Sequence, residues 1–311
     1  MADYLNISQM KKLQETLLKH LAENEAKTEE IPNVEYLKMF IDAKQIEGCS
    51  ERTLQYYRVT IEHMLGSIET PIRKITTDEI RGYLVDYQKV NNCSKVTVDN
   101  VRRNMSSFFS WLEEEDYILK SPMRRIHKIK TKQPVKETIT DEMIEKLRDN
   151  CTCVRDLAMI DLLYSTGIRV GELVGLNISD IDFEERECIV FGKGDKERRV
   201  YFDAKAKLHL QEYIESRTDD NPALFVTLDA PHARLKISGV EIRVRELGRK
   251  LNIDKIHPHK FRRTMATRAI DKGMPIEQVQ KILGHSQIDT TMQYAIVNQN
   301  NVKVSHRRYI A

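Results

Sequence analysis

Cysteine is scarce in this 311-residue chain: five thiols, at positions 49, 93, 151, 153 and 188, an odd number with no CxxC pair among them. That excludes a disulfide-stapled secreted scaffold and a zinc ribbon, and leaves reduced thiols of a cytoplasmic protein as the expectation. Long apolar runs are missing as well. No stretch reaches the ~18 residues a membrane-spanning helix needs, and the opening MADYLNISQMKK lacks the apolar core of a signal peptide. No internal repeat or low-complexity tract is present. Net charge is nearly absent, with 50 Lys+Arg against 47 Asp+Glu for a balance of +3. The composition, 41% apolar and 31% charged, is that of a folded chain rather than one disordered throughout. At roughly 100–200 residues per domain, the length predicts two domains.

The near-zero sum hides a local concentration. Residues 1–119 hold 15 basic and 20 acidic side chains, residues 137–311 hold 28 and 27, and the 17 residues between them, KSPMRRIHKIKTKQPVK, hold 7 basic and none acidic. A basic strap joining two larger segments is the electrostatic footprint of a protein that follows a phosphate backbone, with Arg124, Arg125, Lys128 and Lys130 as the expected contacts. A solvated linker is the alternative.

Periodicity divides the chain along the same lines. Residues 1–30 predict an N-terminal helical extension, with Leu13, Leu17, Leu18 and Leu21 at helical spacing. Residues 31–119 predict an all-helical bundle whose helices start at Ser50, at a Thr76/Glu79 capping box and at Ser94. Residues 120–136 form the linker. Residues 137–311 predict a mainly helical domain with a small antiparallel sheet, an α+β arrangement. In it Thr140 caps a short helix, a longer one ends before Gly167, and strands 188–191 and 198–201 flank a glycine hairpin. Helical patterns follow at 204–217, 238–251, 258–271, 276–283 and 289–296.

Four short runs carry the residues suited to chemistry: TGIRVGEL at 166–173, GKGDKER at 192–198, PHKFR at 258–262 and LGHSQIDTTMQY at 283–294. Arg169 with Glu172, and His259 with Arg262, stand three apart, the spacing that puts two side chains on one helical face. Two guanidiniums and an imidazole converging on one point suit a phosphate, whose oxygens accept planar, bidentate donors. A phenol at Tyr294, nine residues beyond His285, is placed to attack phosphorus. Lys193 at a hairpin tip is placed to protonate a departing oxygen, and Lys196 competes with it for that part. Taken singly, each has a plainer reading: an Arg/Glu ion pair, a solvated turn lysine, a packing tyrosine. His257 beside His259 suggests a metal, but no further ligands stand at a convincing spacing.

In this fixed order the four runs resemble the catalytic set of the tyrosine recombinase (phage integrase) family, close to its Xer-type bacterial members. The resemblance is strongest over 140–295 and looser over the bundle and strap, which resemble the family's core-binding domain and interdomain linker. It implies a two-domain DNA clamp that cuts and rejoins DNA at specific sites through a 3′-phosphotyrosyl intermediate and a Holliday junction. Arg169, Arg262 and His285 would hold the scissile phosphate, His259 would serve as acid/base beside the nucleophile Tyr294, Lys193 would be the general acid, and Glu172 would support its neighbours. The resemblance implies no metal, no cofactor and no ATP. The partners it implies are double-stranded recombination sites, three further copies of the chain in a tetramer on DNA, and accessory proteins that set direction; no membrane is involved. Departures are Arg263, where the family has His, and Phe261, where Leu is common. Two other readings stand beside this one. Residues 264–284 look like a helix-turn-helix, which alone would make a DNA-binding regulator without cleavage. A type IB topoisomerase shares the chemistry on a related fold.

Overall fold

The computed structural model describes residues 8–16, 31–131, 137–192, 197–253 and 255–294. Their contacts divide the chain into two compact units, 1–134 and 135–311.

In the first unit residues 8–16 are helical (α1), and four longer helices form a bundle: α2 (Asn33–Ile46), α3 (Glu51–Ser67), α4 (Thr77–Val90) and α5 (Lys95–Glu114). Each expected start signal is in use. Ser50 accepts the amide of Thr53, Ser94 that of Thr97, and Thr76 and Glu79 close a reciprocal capping box. The apolar faces meet in a core rich in rings, where Phe40, Phe108 and Phe109 are fully buried. The basic strap begins as part of this unit. Pro122–Arg125 form a 3-10 turn with Pro122 and Met123 buried, the Pro122 carbonyl accepts Thr77 Oγ1 at 2.8 Å, and Asp99 Oδ1 accepts the Ile129 amide at 3.0 Å. Arg124 pairs with Glu113, while Arg125, Lys128 and Lys130 are exposed.

The second unit contains α6 (Asp141–Asp149), α7 (Val154–Thr166), α8 (Val170–Gly175), α9 (Ala204–Glu215), α10 (Ile237–Lys250), α11 (Pro258–Asp271), α12 (Ile276–Leu283) and α13 (Ile288–Met292), with one three-stranded sheet. Its strands β1 (Ile181–Asp182), β2 (Glu187–Phe191) and β3 (Glu197–Tyr201) pair antiparallel in sequence order, Cys188 facing Val200 and Val190 facing Arg198. Cys188, Val190 and Val200 point into the core as the period-two pattern requires. The mainly helical class with a small antiparallel sheet therefore holds. Helix α7 lies buried at the centre, its Met159, Ile160, Leu162 and Leu163 wholly covered. Beside these sits buried charge: both carboxylate oxygens of Asp156 are taken, one by Arg155 and the other by Arg243.

Candidate active site

Two helix ends build the site. Helix α7 stops at Gly167 and α12 at Gly284, both with φ of 64°, a left-handed conformation that favours glycine. Carbonyls left over at helix C-termini carry partial negative charge, and guanidiniums satisfy them here. Arg262, on the first turns of α11 and only 2% exposed, donates to Gly167 O at 2.8 Å and to Leu283 O at 2.6 Å. Arg169 donates to Gly284 O at 3.1 Å. The pair α11 and α12, with Gly273 between them, is thus the frame of this site.

One expectation needs correcting. Arg169 and Glu172 do not share a helical face. Arg169 is the N-cap residue of α8, and the Glu172 carboxylate reaches back to accept its backbone N–H at 2.7 Å and its Nη1 at 2.8 Å. After the left-handed Gly167 the chain reaches Arg169 in an extended conformation, φ −75° and ψ 149°, which places Arg169 outside the first turn. His259 and Arg262 do lie on one helix, but His259 is exposed and Arg262 buried.

His285 stands beside Arg262, with Nε2 3.0 Å from Arg262 Nη2 and Nδ1 2.8 Å from Thr291 Oγ1. A guanidinium can only donate, so Nε2 must accept and the proton sits on Nδ1, donated to Thr291. Helix α13 then turns so that Tyr294, 5% exposed, lays its ring beside the imidazole with centroids 6.1 Å apart. Arg169, Gly284 and His285 border a cleft of about 800 Å³ that Arg198, Lys281 and Thr290 also line. Lys193 and Lys196 lie outside the described residues. Among the described residues no group of three or more His, Cys, Asp or Glu is placed to hold a metal ion.

Residues 135–301 match the phage integrase family, and residues 36–119 match the family's N-terminal SAM-like domain. The chain belongs to the phage integrase family. The XerC tyrosine recombinase of Oceanobacillus iheyensis is 30% identical over 88% of this chain and 95% of its own length. That of Leptospira interrogans is 32% identical over 88% and 92%. Among solved structures, the Tn1549 transposon integrase in complex with transposon right end DNA superposes with a TM-score of 0.73 at 20% identity, covering 89% of this chain and 99% of that one. This protein is an Xer-type tyrosine recombinase, a DNA breaking-and-rejoining enzyme.

The electrostatics of the recombinase site follow from its burial. Desolvation, then the positive charges of Arg262 and Arg169, push His285 down to about 4, so the imidazole is neutral at physiological pH. Burial, then repulsion from Arg169, lowers Arg262 to about 10, which still leaves it charged. Burial raises Glu172, but the hydrogen bonds from Arg198 and then Arg169 outweigh it and hold the carboxyl below its ordinary value. Reading the motifs missed the two partners that organise this centre. Arg198 grips Glu172 from β3, and Thr291 takes up the Nδ1 proton of His285 in a hydrogen bond. Both stood inside the quoted runs, and nothing in the spacing distinguished them. Arg263, the departure from the family pattern, donates to the Glu137 carbonyl at 3.0 Å.

Proposed function

We propose that this recombinase cleaves with Tyr294 as nucleophile in a phosphate pocket made by Arg169, Arg262 and His285. The observation that carries the proposal is the convergence of Arg169, Arg262 and His285 at two glycine-terminated helix ends, with the Tyr294 ring beside His285. The phenolic oxygen attacks phosphorus, giving its proton to His259. The bond from phosphorus to the 5′ oxygen breaks, and Lys193 protonates the departing oxygen. The 3′-phosphotyrosyl bond conserves the energy of the diester, so rejoining to another strand's 5′ hydroxyl needs no ATP. The arginines compensate the charge on the transferring phosphoryl group, the part a metal ion plays elsewhere, so cleavage should survive EDTA. Arg262 and Tyr294 are 2% and 5% exposed, so engaging the phosphate has to uncover them.

Tyr294→Phe should still bind its DNA site and yield no covalent adduct on a nicked substrate, read by gel. An adduct from that variant, or one mapped to Tyr164 or Tyr309 in the parent, would sink the assignment. Lys193→Ala should slow cleavage of an ordinary 5′-oxygen ester by about 10²–10⁴. It should slow a 5′-bridging phosphorothiolate far less, because sulfur leaves without a proton. Equal slowing of both, or the selective defect in Lys196→Ala instead, reassigns the proton donor.

The finer assembly belongs to the same proposal. The recombinase acts in the cytoplasm, where two double-stranded sites are paired by a tetramer, with the basic strap tracking the DNA backbone and accessory proteins setting direction. Residues 295–311, outside the described residues, would couple neighbouring subunits. What supports this is the family membership and the exposed cations of the strap.

A further inference from the structure

Arg198 has no part in the chemistry above, yet its side chain touches three pieces of the site at once. From β3 it forks onto Glu172, Nη1 to Oε1 at 2.7 Å and Nη2 to Oε2 at 2.6 Å, and its Nε donates to Ile282 O at 2.8 Å. The last turn of α12 is shaped to receive it. A Cβ on Gly284 would stand 2.9 Å from Arg198 Cδ, so even the glycine there makes room for this arginine.

The consequence lies in how Glu172 is shared. Its carboxylate accepts four N–H groups, two from Arg198 and two from Arg169, one of the latter being the backbone amide. Each oxygen therefore faces one nitrogen of each arginine, and Arg169 meets the carboxylate through a single guanidinium nitrogen, Nη1. An isolated carboxylate and guanidinium prefer the two-pronged pair. Without Arg198, Glu172 is released to take Arg169 that way, which would neutralise Arg169 and pull its Nη2 off Gly284 O. Ile282 O would lose its partner in the turn that presents Leu283 O, Gly284 O and His285.

We propose that Arg198 is a positioning residue: by occupying Glu172 and bracing the end of α12, it keeps Arg169 turned to the cleft with its charge available to the scissile phosphate. This rests on the reading of Arg169 as a phosphate ligand. The test compares Arg198→Met, Arg198→Lys and Arg169→Ala in single-turnover cleavage at saturating DNA. Each is run on an ordinary diester and on one whose scissile group is a methylphosphonate. The methyl group removes one anionic oxygen, so less cationic compensation is needed. Arg198→Met should leave site affinity within about two-fold while slowing diester cleavage about 10²-fold, the scale of one lost oxyanion donor. That defect should shrink to less than about tenfold on the methylphosphonate. Arg198→Lys, which keeps charge without the planar fork, should fall between, and it decides the matter if the Met variant does not fold. Arg169→Ala should show the same relief. Equal losses on both substrates in the Arg198 variants, with Arg169→Ala relieved, would make Arg198 merely structural and overturn the inference. An unrelieved Arg169→Ala would remove the reading it rests on and the inference with it.

Discussion

In the helical unit the interior is hydrocarbon and ring. Phe40 meets Phe108 edge to face with centroids 5.2 Å apart, Phe108 meets Phe109 at 5.5 Å, and Asp99 is the one buried ionised side chain among the described residues of that unit, answered by Arg102 and the Ile129 amide. The catalytic unit instead buries Arg155, Asp156, Asp161, Glu172, Lys260 and Arg262. A buried ion pair adds little stability over hydrocarbon of the same volume, but removing one partner strands the other at several kcal/mol. The catalytic unit thus accepts a brittle interior. Within it the buried charges fall into two kinds. Asp156 is 0% exposed and closed between Arg155 and Arg243, serving the fold alone. Glu172 and Arg262 sit at helix ends beside the cleft, where the same cost sets fixed charge next to the site.

Substitutions on the two sides of that division should separate. Arg262→Lys keeps a cation but loses the fork that spans Gly167 O, Leu283 O and His285. Cleavage should fall by about 10²–10³, with a smaller loss of stability than the next variant. Asp156→Ala should cost about 3–5 kcal/mol in urea denaturation, because Arg155 is left buried without its carboxylate. Protein that remains folded should cleave normally. If Asp156→Ala leaves stability intact but slows cleavage, the line between structural and site charges is drawn in the wrong place.

How far this division can be read from sequence depends on the reach of each interaction. The bundle was legible because its signals are local: Ser50, Thr76, Ser94 and Thr140 each cap the helix they precede, within three residues. The two strands of the hairpin and the end of α7 before Gly167 were legible for the same reason. The pairings that make the site span far greater distances. Arg198 lies 26 residues from Glu172, Arg169 115 from Gly284, and Arg262 95 from Gly167. No periodicity encodes those, and only the order of four short runs marked the residues involved. Between α9 and α10, where Arg234 gathers the carbonyls of Val174, Gly175 and Leu176, neither a period nor a motif gave any sign.

The helical unit keeps its cations outside, and a smaller effect tests what they do there. Neutralising Arg125, Lys128 and Lys130 should weaken binding to all DNA sequences alike. It should flatten the slope of log affinity against log salt by up to about 0.9 for each DNA phosphate that is no longer neutralised. Arg124 should contribute least of the four strap positions, since Glu113 already faces it. An unchanged slope would make the strap a solvated segment.

The smallest expected effect is a pH dependence of stability that only the catalytic unit should show from this source. His285 is held at about 4 in the folded chain by burial and by the arginines around it, against about 6.5 when unfolded. Between those values the unfolded chain takes up a proton that the folded chain refuses, so stability falls as pH drops from 6.5 toward 4 and is flat above 6.5. The ring is partly open to solvent, which screens the effect, and a change of about 1–2 kcal/mol across the window is the reasonable scale. His285→Gln should remove that part of the slope. A slope identical in the parent and His285→Gln would mean that this imidazole titrates normally and that the arginines do not press on it.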